Sequence, residues 1–137
     1  MTRLGPRQRP DLAIHKFARL IQAGREIPMF GDGTSLRDYT FIDDIVDGIT
    51  ATLSLQTEFD VFNLGNSQPV SLSHMIRLLE DRLGKQAQIR VQEFQPGDMP
   101  FTHANLTKAR GMLGYEPKVP FEEGLTRFVS WFKTVKS

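Results

Sequence analysis

The sequence predicts an α/β fold, and three observations carry that expectation. The short apolar run Ile27 to Phe30 and the stretch through Ile89 and Val91 read as strands. Between and after them, apolar residues recur at intervals of three and four, as in Leu72, Met75, Ile76, Leu79 and Leu83, the pattern of an amphipathic helix. A glycine-rich turn, Phe30-Gly31-Asp32-Gly33-Thr34, links the first strand to an extended stretch and a helix start.

The 137 residues suit one domain, 1–137, and are enough to bury a core. The 17 basic and 16 acidic side chains are interleaved, which leaves no field of one sign for nucleic acid or a membrane surface. With no cysteine, disulfides and thiolate metal sites are excluded. No apolar run approaches the length of a membrane span and no signal peptide is visible, so the expectation is a cytoplasmic protein with no membrane and no nucleic-acid partner.

The elements follow in order. Met1 to Pro10 is basic through Arg3, Arg7 and Arg9, contains two prolines, and reads as irregular or extended chain. Asp11 is placed to cap a helix whose Ala13, Phe17, Leu20 and Ile21 share one face, with Gly24 just past its end. His15 lies off that stripe and has no companion at metal-ligand spacing. After the strand Ile27 to Phe30, Gly31 and Gly33 flank Asp32 and permit positive φ. Arg37 then supplies a rigid fork of donors suited to two phosphate oxygens, or a solvated arginine beside a surface turn. Asp43 or Asp44 caps a helix from Asp44 to Leu55 with Ile45, Ile49 and Leu53 as its buried stripe. Phe59 to Leu64 reads as a short strand that ends in the turn residues Asn63-Leu64-Gly65-Asn66.

Ser71 begins the next helix and Gly84 ends it. The strand through Ile89 and Val91 extends toward Glu93-Phe94. Gln95-Pro96-Gly97-Asp98 forms a forced turn, in which Asp98 can accept two ribose hydroxyls or hydrogen-bond its own backbone. Thr107 is placed to cap a short helix from Lys108 to Leu113. The last helix starts near Phe121, with Phe121, Leu125, Phe128, Phe132 and Val135 as a core stripe and Trp131 beside it.

Several of these motifs, taken in this order, are more specific than any one alone. Gly5-Pro6-Arg7-Gln8-Arg9-Pro10-Asp11, Phe30-Gly31-Asp32-Gly33, Arg37-Asp38-Tyr39-Thr40, Asn63-Leu64-Gly65-Asn66, Gln95-Pro96-Gly97-Asp98 and Leu113-Gly114-Tyr115-Glu116-Pro117 resemble the second half of extended short-chain dehydrogenase/reductase enzymes. These are the NAD-dependent nucleotide-sugar epimerases and dehydratases, and the UDP-glucose and UDP-glucuronate 4-epimerase-like members are the most similar. The resemblance implies the C-terminal substrate-binding part of a Rossmann-type fold, without the N-terminal NAD-binding half. It implies that Pro28, Met29 and Phe30 hold the base, Arg37 the diphosphate and Asp98 the ribose of a UDP-sugar or another nucleoside-diphosphate sugar. Gln95 stands where many of these enzymes carry an arginine as a second phosphate ligand, which leaves Arg37 as the main one. Read from composition alone, Met29 and Phe30 are core. Two further departures are Leu4, where the family usually has tyrosine, and Asn105, where it often has aspartate.

Two absences bear on function. No Gly-x-x-Gly-x-x-Gly follows a strand, so no pyrophosphate cradle for NAD is encoded. Nor is there a Tyr-x-x-x-Lys pair: the residues four after Tyr39 and Tyr115 are Asp43 and Val119, and Lys118 lies three after Tyr115. No Ser-His-Asp set is available, and the three histidines are scattered. Hence no catalytic, cofactor or metal residue is assigned. NAD belongs to the parent enzyme, whose implied reaction is 4-epimerisation of a UDP-sugar, with a tyrosine taking the sugar hydroxyl proton while hydride passes to the nicotinamide. This chain alone is expected to be inactive. The alternative class is a non-catalytic nucleotide-diphosphate-binding or protein-interaction module. In the intact family fold, residues 43–65 would pack on the absent sheet. Ile45, Ile49, Leu53, Val61 and Leu64 would then lose their cover, and the chain is expected to associate into a homo-oligomer through this face, to swap segments between copies, or to repack the helix onto the remaining lobe.

Overall fold

The computed structural model describes residues 2–94 and 101–135. In chain order the elements are β1 (Thr2–Leu4), α1 (Ala13–Gln22), β2 (Glu26–Phe30), β3 (Leu36–Arg37), β4 (Tyr39–Phe41), α2 (Ile42–Thr52), β5 (Val70–Ser71), α3 (Leu72–Leu83), β6 (Gln88–Gln92), α4 (Thr107–Leu113) and α5 (Phe121–Val135). The strands form three two-stranded sheets: β1 with β4 and β2 with β6 in parallel, β3 with β5 antiparallel. The mixed α/β class is as the sequence implies.

One core holds the larger part of the chain together. Helices α1, α3 and α5 pack side by side, and their stripes Phe17 and Ile21, Met75, Ile76 and Leu79, and Leu125, Phe128 and Phe132 meet in it. Strand alternation explains the role of β2. Ile27 and Met29 point into this core, whereas Pro28 and Phe30 point the other way. A smaller cluster forms where Leu106, Ala109 and Tyr115 pack with Phe62 and Leu64.

The helix ends show which local signals acted. Ser71 caps α3 by accepting the His74 N–H at 3.2 Å, and Gly84 ends that helix at φ 69°. Past α1, Gly24 N–H reaches the Ile21 carbonyl and Arg25 N–H the Leu20 carbonyl, a Schellman closure. Val135, assigned to the core stripe of α5, is exposed at its end.

Three expected caps are corrected. Asp11 does not cap α1; Leu12 holds that position and Asp11 pairs with Arg9 at 2.6 Å. Neither Asp43 nor Asp44 caps α2, which starts after Phe41. Thr107 opens α4 but the side chain at work is Asn105, whose Oδ1 accepts the Thr107 N–H at 3.0 Å.

Other departures are strands rather than caps. Thr2–Leu4, read as irregular or extended chain, is extended and finds a parallel partner in Tyr39–Phe41. Residues 59–64 are not a strand. A strand needs a neighbour to take its backbone groups, and here the Val61 N–H goes to the Asp60 carboxylate and the Val61 carbonyl to Lys108 Nζ. β6 stops at Gln92, short of Glu93-Phe94. His15 is more enclosed than its position off the stripe suggests, with the rings of Phe128, Trp131 and Phe132 edge-on at 5.7–5.9 Å.

Candidate functional site

The segment from Phe30 to Phe41 builds the site. Gly31 and Gly33 adopt φ 79° and 83° on either side of Asp32, a region that disfavours any side chain with Cβ. Asp32 Oδ1 locks the turn by accepting the Thr34 N–H at 3.1 Å and the Thr34 hydroxyl at 2.5 Å. The chain then enters β3, where Arg37 pairs with Val70 of β5. A side-chain carbon on Gly31 would overlap the Phe94 ring, so this glycine also makes the seat on which Phe94 lies.

The result is a cleft of about 240 Å³ with apolar walls and two cations. Pro28 and Phe30 from the outward face of β2, Tyr39, Phe94, and Ala13, Lys16 and Phe17 of α1 all line it. Arg37 and Lys16 supply positive charge. Arg37 is half-buried, and one Nη1–H donates to the Leu36 carbonyl at 2.8 Å. Its remaining donors belong to a fixed fork that suits a planar or tetrahedral oxyanion. Asp11 lies at the rim, held by Arg9 through bonds of 3.1 and 2.6 Å.

The structure thus brings Pro28, Phe30 and Arg37 into one cleft. The Met29 side chain does not line it, being in the core with its sulfur against Gly33, while the expectation for Met29 concerned its backbone. Gln95 and Asp98 lie outside the described residues. Sequence reasoning missed Lys16 and Phe94. It took Phe17 as core without following the neighbouring face of the same helix, and it took Phe94 as the end of a strand. A sequence signal for Lys16 existed, because Ala13, Lys16 and Phe17 are spaced to share one helical face.

Tyr39 has an aspartate, Asp43, rather than a lysine four residues on. Burial pushes its phenol up to about 12, with the Arg37 charge acting weakly in the opposite direction. Tyr115 is pushed up to about 12 as well, first by burial and then by the Asp44 carboxylate. A catalytic tyrosine needs a lowered pKa, so both phenols are tuned the wrong way. Tyr115 instead donates its hydroxyl to the Gly65 carbonyl at 2.6 Å.

Two buried carboxylates position the segments around the site. Asp38, next to Arg37, is 2% exposed and accepts the backbone N–H groups of Asn66 at 3.2 Å, Ser67 at 3.0 Å and Ala104 at 3.2 Å. Asp44 accepts those of Lys118 at 2.9 Å and Val119 at 3.0 Å. Each replaces several water contacts with fixed backbone donors, which is how a carboxylate can be buried without a cation.

A larger hollow of about 520 Å³ lies elsewhere, between Phe62, Asn63 and Leu64 and the segment Phe101 to Ala104. Among the described residues its lining, which includes Asp38, has no arginine or lysine. Among the described residues no cluster of histidine and carboxylate side chains could hold a metal ion, and no helix is long and apolar enough to cross a membrane.

A family model described as GDP-mannose 4,6 dehydratase matches residues 2–128. A UDP-glucuronate 4-epimerase of Thermodesulfobacterium geofontis is 40% identical over 130 residues, which cover 94% of this chain and 40% of that protein. The crystal structure of a UDP-glucuronic acid 4-epimerase from Bacillus cereus, in complex with UDP-glucuronic acid and NAD, superposes with a TM-score of 0.91 at 34% identity over 98% of this chain and 43% of its own. A UDP-glucose 4-epimerase from Thermotoga maritima, solved with UDP-glucose, gives a TM-score of 0.90 at 30% identity, covering 99% of this chain and 45% of that one. The chain therefore spans less than half the length of the proteins it matches.

Proposed function

The chain belongs to the GDP-mannose 4,6 dehydratase family, within the extended short-chain dehydrogenase/reductase nucleotide-sugar epimerases and dehydratases, and corresponds to their C-terminal part; from that premise we propose that it is the nucleotide-sugar grip of an NAD-dependent UDP-sugar 4-epimerase. The observation that carries this reading is the cleft itself, in which Arg37 stands beside Pro28, Phe30 and Phe94. An aromatic and proline wall suits the face of a base, and the guanidinium fork suits a diphosphate. The relatives whose structures contain UDP-glucuronic acid or UDP-glucose support uridine as the base. Binding the nucleotide far from the reacting carbon holds the sugar in register for the chemistry and places remote binding energy at the service of the transition state.

The residues of this chain do not fit NAD. The sequence has no glycine-rich dinucleotide turn and no Tyr-x-x-x-Lys pair, and its two tyrosines are held protonated. No step of hydride transfer is assigned to it, and its part in the reaction is to bind and orient. The exposed apolar side chains of Val46, Ile49, Leu53, Phe59 and Val61 support a place for residues 43–65 against an NAD-binding domain.

A titration of the 137-residue chain with UDP, followed by NMR or calorimetry, tests the proposal. UDP binds with a dissociation constant on the order of millimolar, and Arg37→Ala weakens it roughly tenfold or more, the value of one charge-assisted fork. Identical titrations for both proteins would remove Arg37 from the site. Incubated with NAD and a panel of UDP- and dTDP-sugars, the chain alone yields no epimerised or dehydrated product above a protein-free blank.

A further inference from the structure

We propose that Lys16 is the second cation of the phosphate grip, reaching from α1 the same diphosphate that Arg37 takes from β3. The inference rests on the nucleotide reading of the cleft given above. Ala13, Lys16 and Phe17 lie at i, i+3 and i+4 and all three line that cleft. Phe17 is buried in the core and fixes this face of the helix, so the Lys16 stem starts from a defined place and only its flexible four-carbon chain has to move. Arg37 lines the same hollow from β3.

The charges around the cleft favour an anion. Among the described residues neither Lys16 nor Arg37 forms an ion pair, so no carboxylate there is matched to either charge. The carboxylate at the rim, Asp11, is already tied to Arg9 and does not cancel either cation. One guanidinium fork satisfies two oxygens, while a diphosphate presents more oxygens and at least two charges spread over two phosphoryl groups. A compact ammonium on a mobile stem suits the phosphoryl group that the fork leaves unmatched.

The test is a UDP titration of the wild-type 137-residue chain and of Lys16→Met, Lys16→Arg and Arg37→Ala, at low and at raised salt. Lys16→Met weakens UDP roughly three- to tenfold at low salt, the range for a partly exposed charge contact. The loss shrinks as salt is added, and Lys16→Arg restores binding because the charge returns. Wild-type affinity in Lys16→Met, beside a clear loss in Arg37→Ala, would leave the nucleotide cleft standing and overturn the role of Lys16. A loss that salt does not diminish and arginine does not restore would also overturn it, since the side chain would then act through helix packing. No binding of UDP to the wild-type chain would end both this inference and the reading on which it rests.

Discussion

Asp38 is the residue on which several distant backbones converge. Its carboxylate takes three N–H groups, two of them from residues 28 and 29 positions later and one from 66 positions later. Asp38→Ala would leave those donors unpaired in the interior. A loss of roughly 3–5 kcal/mol is expected in urea unfolding, and Asp38→Asn, which keeps one acceptor, loses less.

His15 gives a pH dependence of its own. Burial among three aromatic rings lowers its pKa below the ordinary histidine value of 6.5, with the Arg19 charge acting in the same direction and a backbone contact from Gln8 opposing. The unfolded chain therefore takes up the proton first as pH falls. The contribution of His15 to stability is fully present above pH 6.5 and is lost as pH falls toward its lower folded value. An NMR titration of the His15 ring, beside melting curves from pH 8 to 5, checks both halves. A midpoint at or above the ordinary value would refute the assignment.

At the scale of the element, α2 shows competing demands on one residue. Gly48 sits in the middle of this helix, where alanine would be favoured by about 1 kcal/mol on propensity alone. Yet a Cβ there would lie 2.7 Å from Leu64 Cδ1 and 3.2 Å from the ring of Tyr115, which is buried and hydrogen-bonded to Gly65. Overpacking of this kind typically costs about 1–3 kcal/mol. Gly48→Ala is therefore expected to destabilise by about 1 kcal/mol net, read as a lower melting midpoint. A gain in stability would mean that Leu64 moves aside freely.

At the scale of the whole molecule, the surface around α2 is unfinished. Ile45 is buried and Leu64 half-buried, which corrects the expectation that all five residues would lose their cover. Ile49 and Val61 are exposed, Leu53 is 82% exposed, and Val46 and Phe59 extend the apolar surface. Covering each such side chain would stabilise by roughly 1.5–3 kcal/mol. The parallel pair β1–β4 adds to this, because parallel strands are ordinarily found inside larger covered sheets. The expected behaviour is self-association through this face. Light scattering should show mass rising with concentration and ANS should bind, and Ile49→Lys combined with Leu53→Glu should suppress both. Monomeric behaviour of the unmodified chain at all concentrations, with no ANS signal, would overturn this expectation.

Periodicity and turn chemistry were enough for the helices of the core. The stripes of α1, α3 and α5, the cap at Ser71, the stop at Gly84 and the paired glycines around Asp32 all depend on neighbours within a few residues, so their signals are local. The ordered motifs made the family legible. The fate of the unpaired elements was set elsewhere. Thr2–Leu4 became a strand because Tyr39–Phe41 lies beside it, and 59–64 did not because nothing does. Asp44 looks like a capping residue and Asp38 only like one member of a motif until the donors they serve, 28 to 75 positions away, are folded against them. Lys16 joined the cleft for the same reason: α1 and β3 are separated in sequence, and only the packing of the helix onto the core through Phe17 brings its polar face to the arginine. Backbone pairing, charge burial and shared cavities are relations between distant segments, and a linear pattern records them only after the chain has closed on itself.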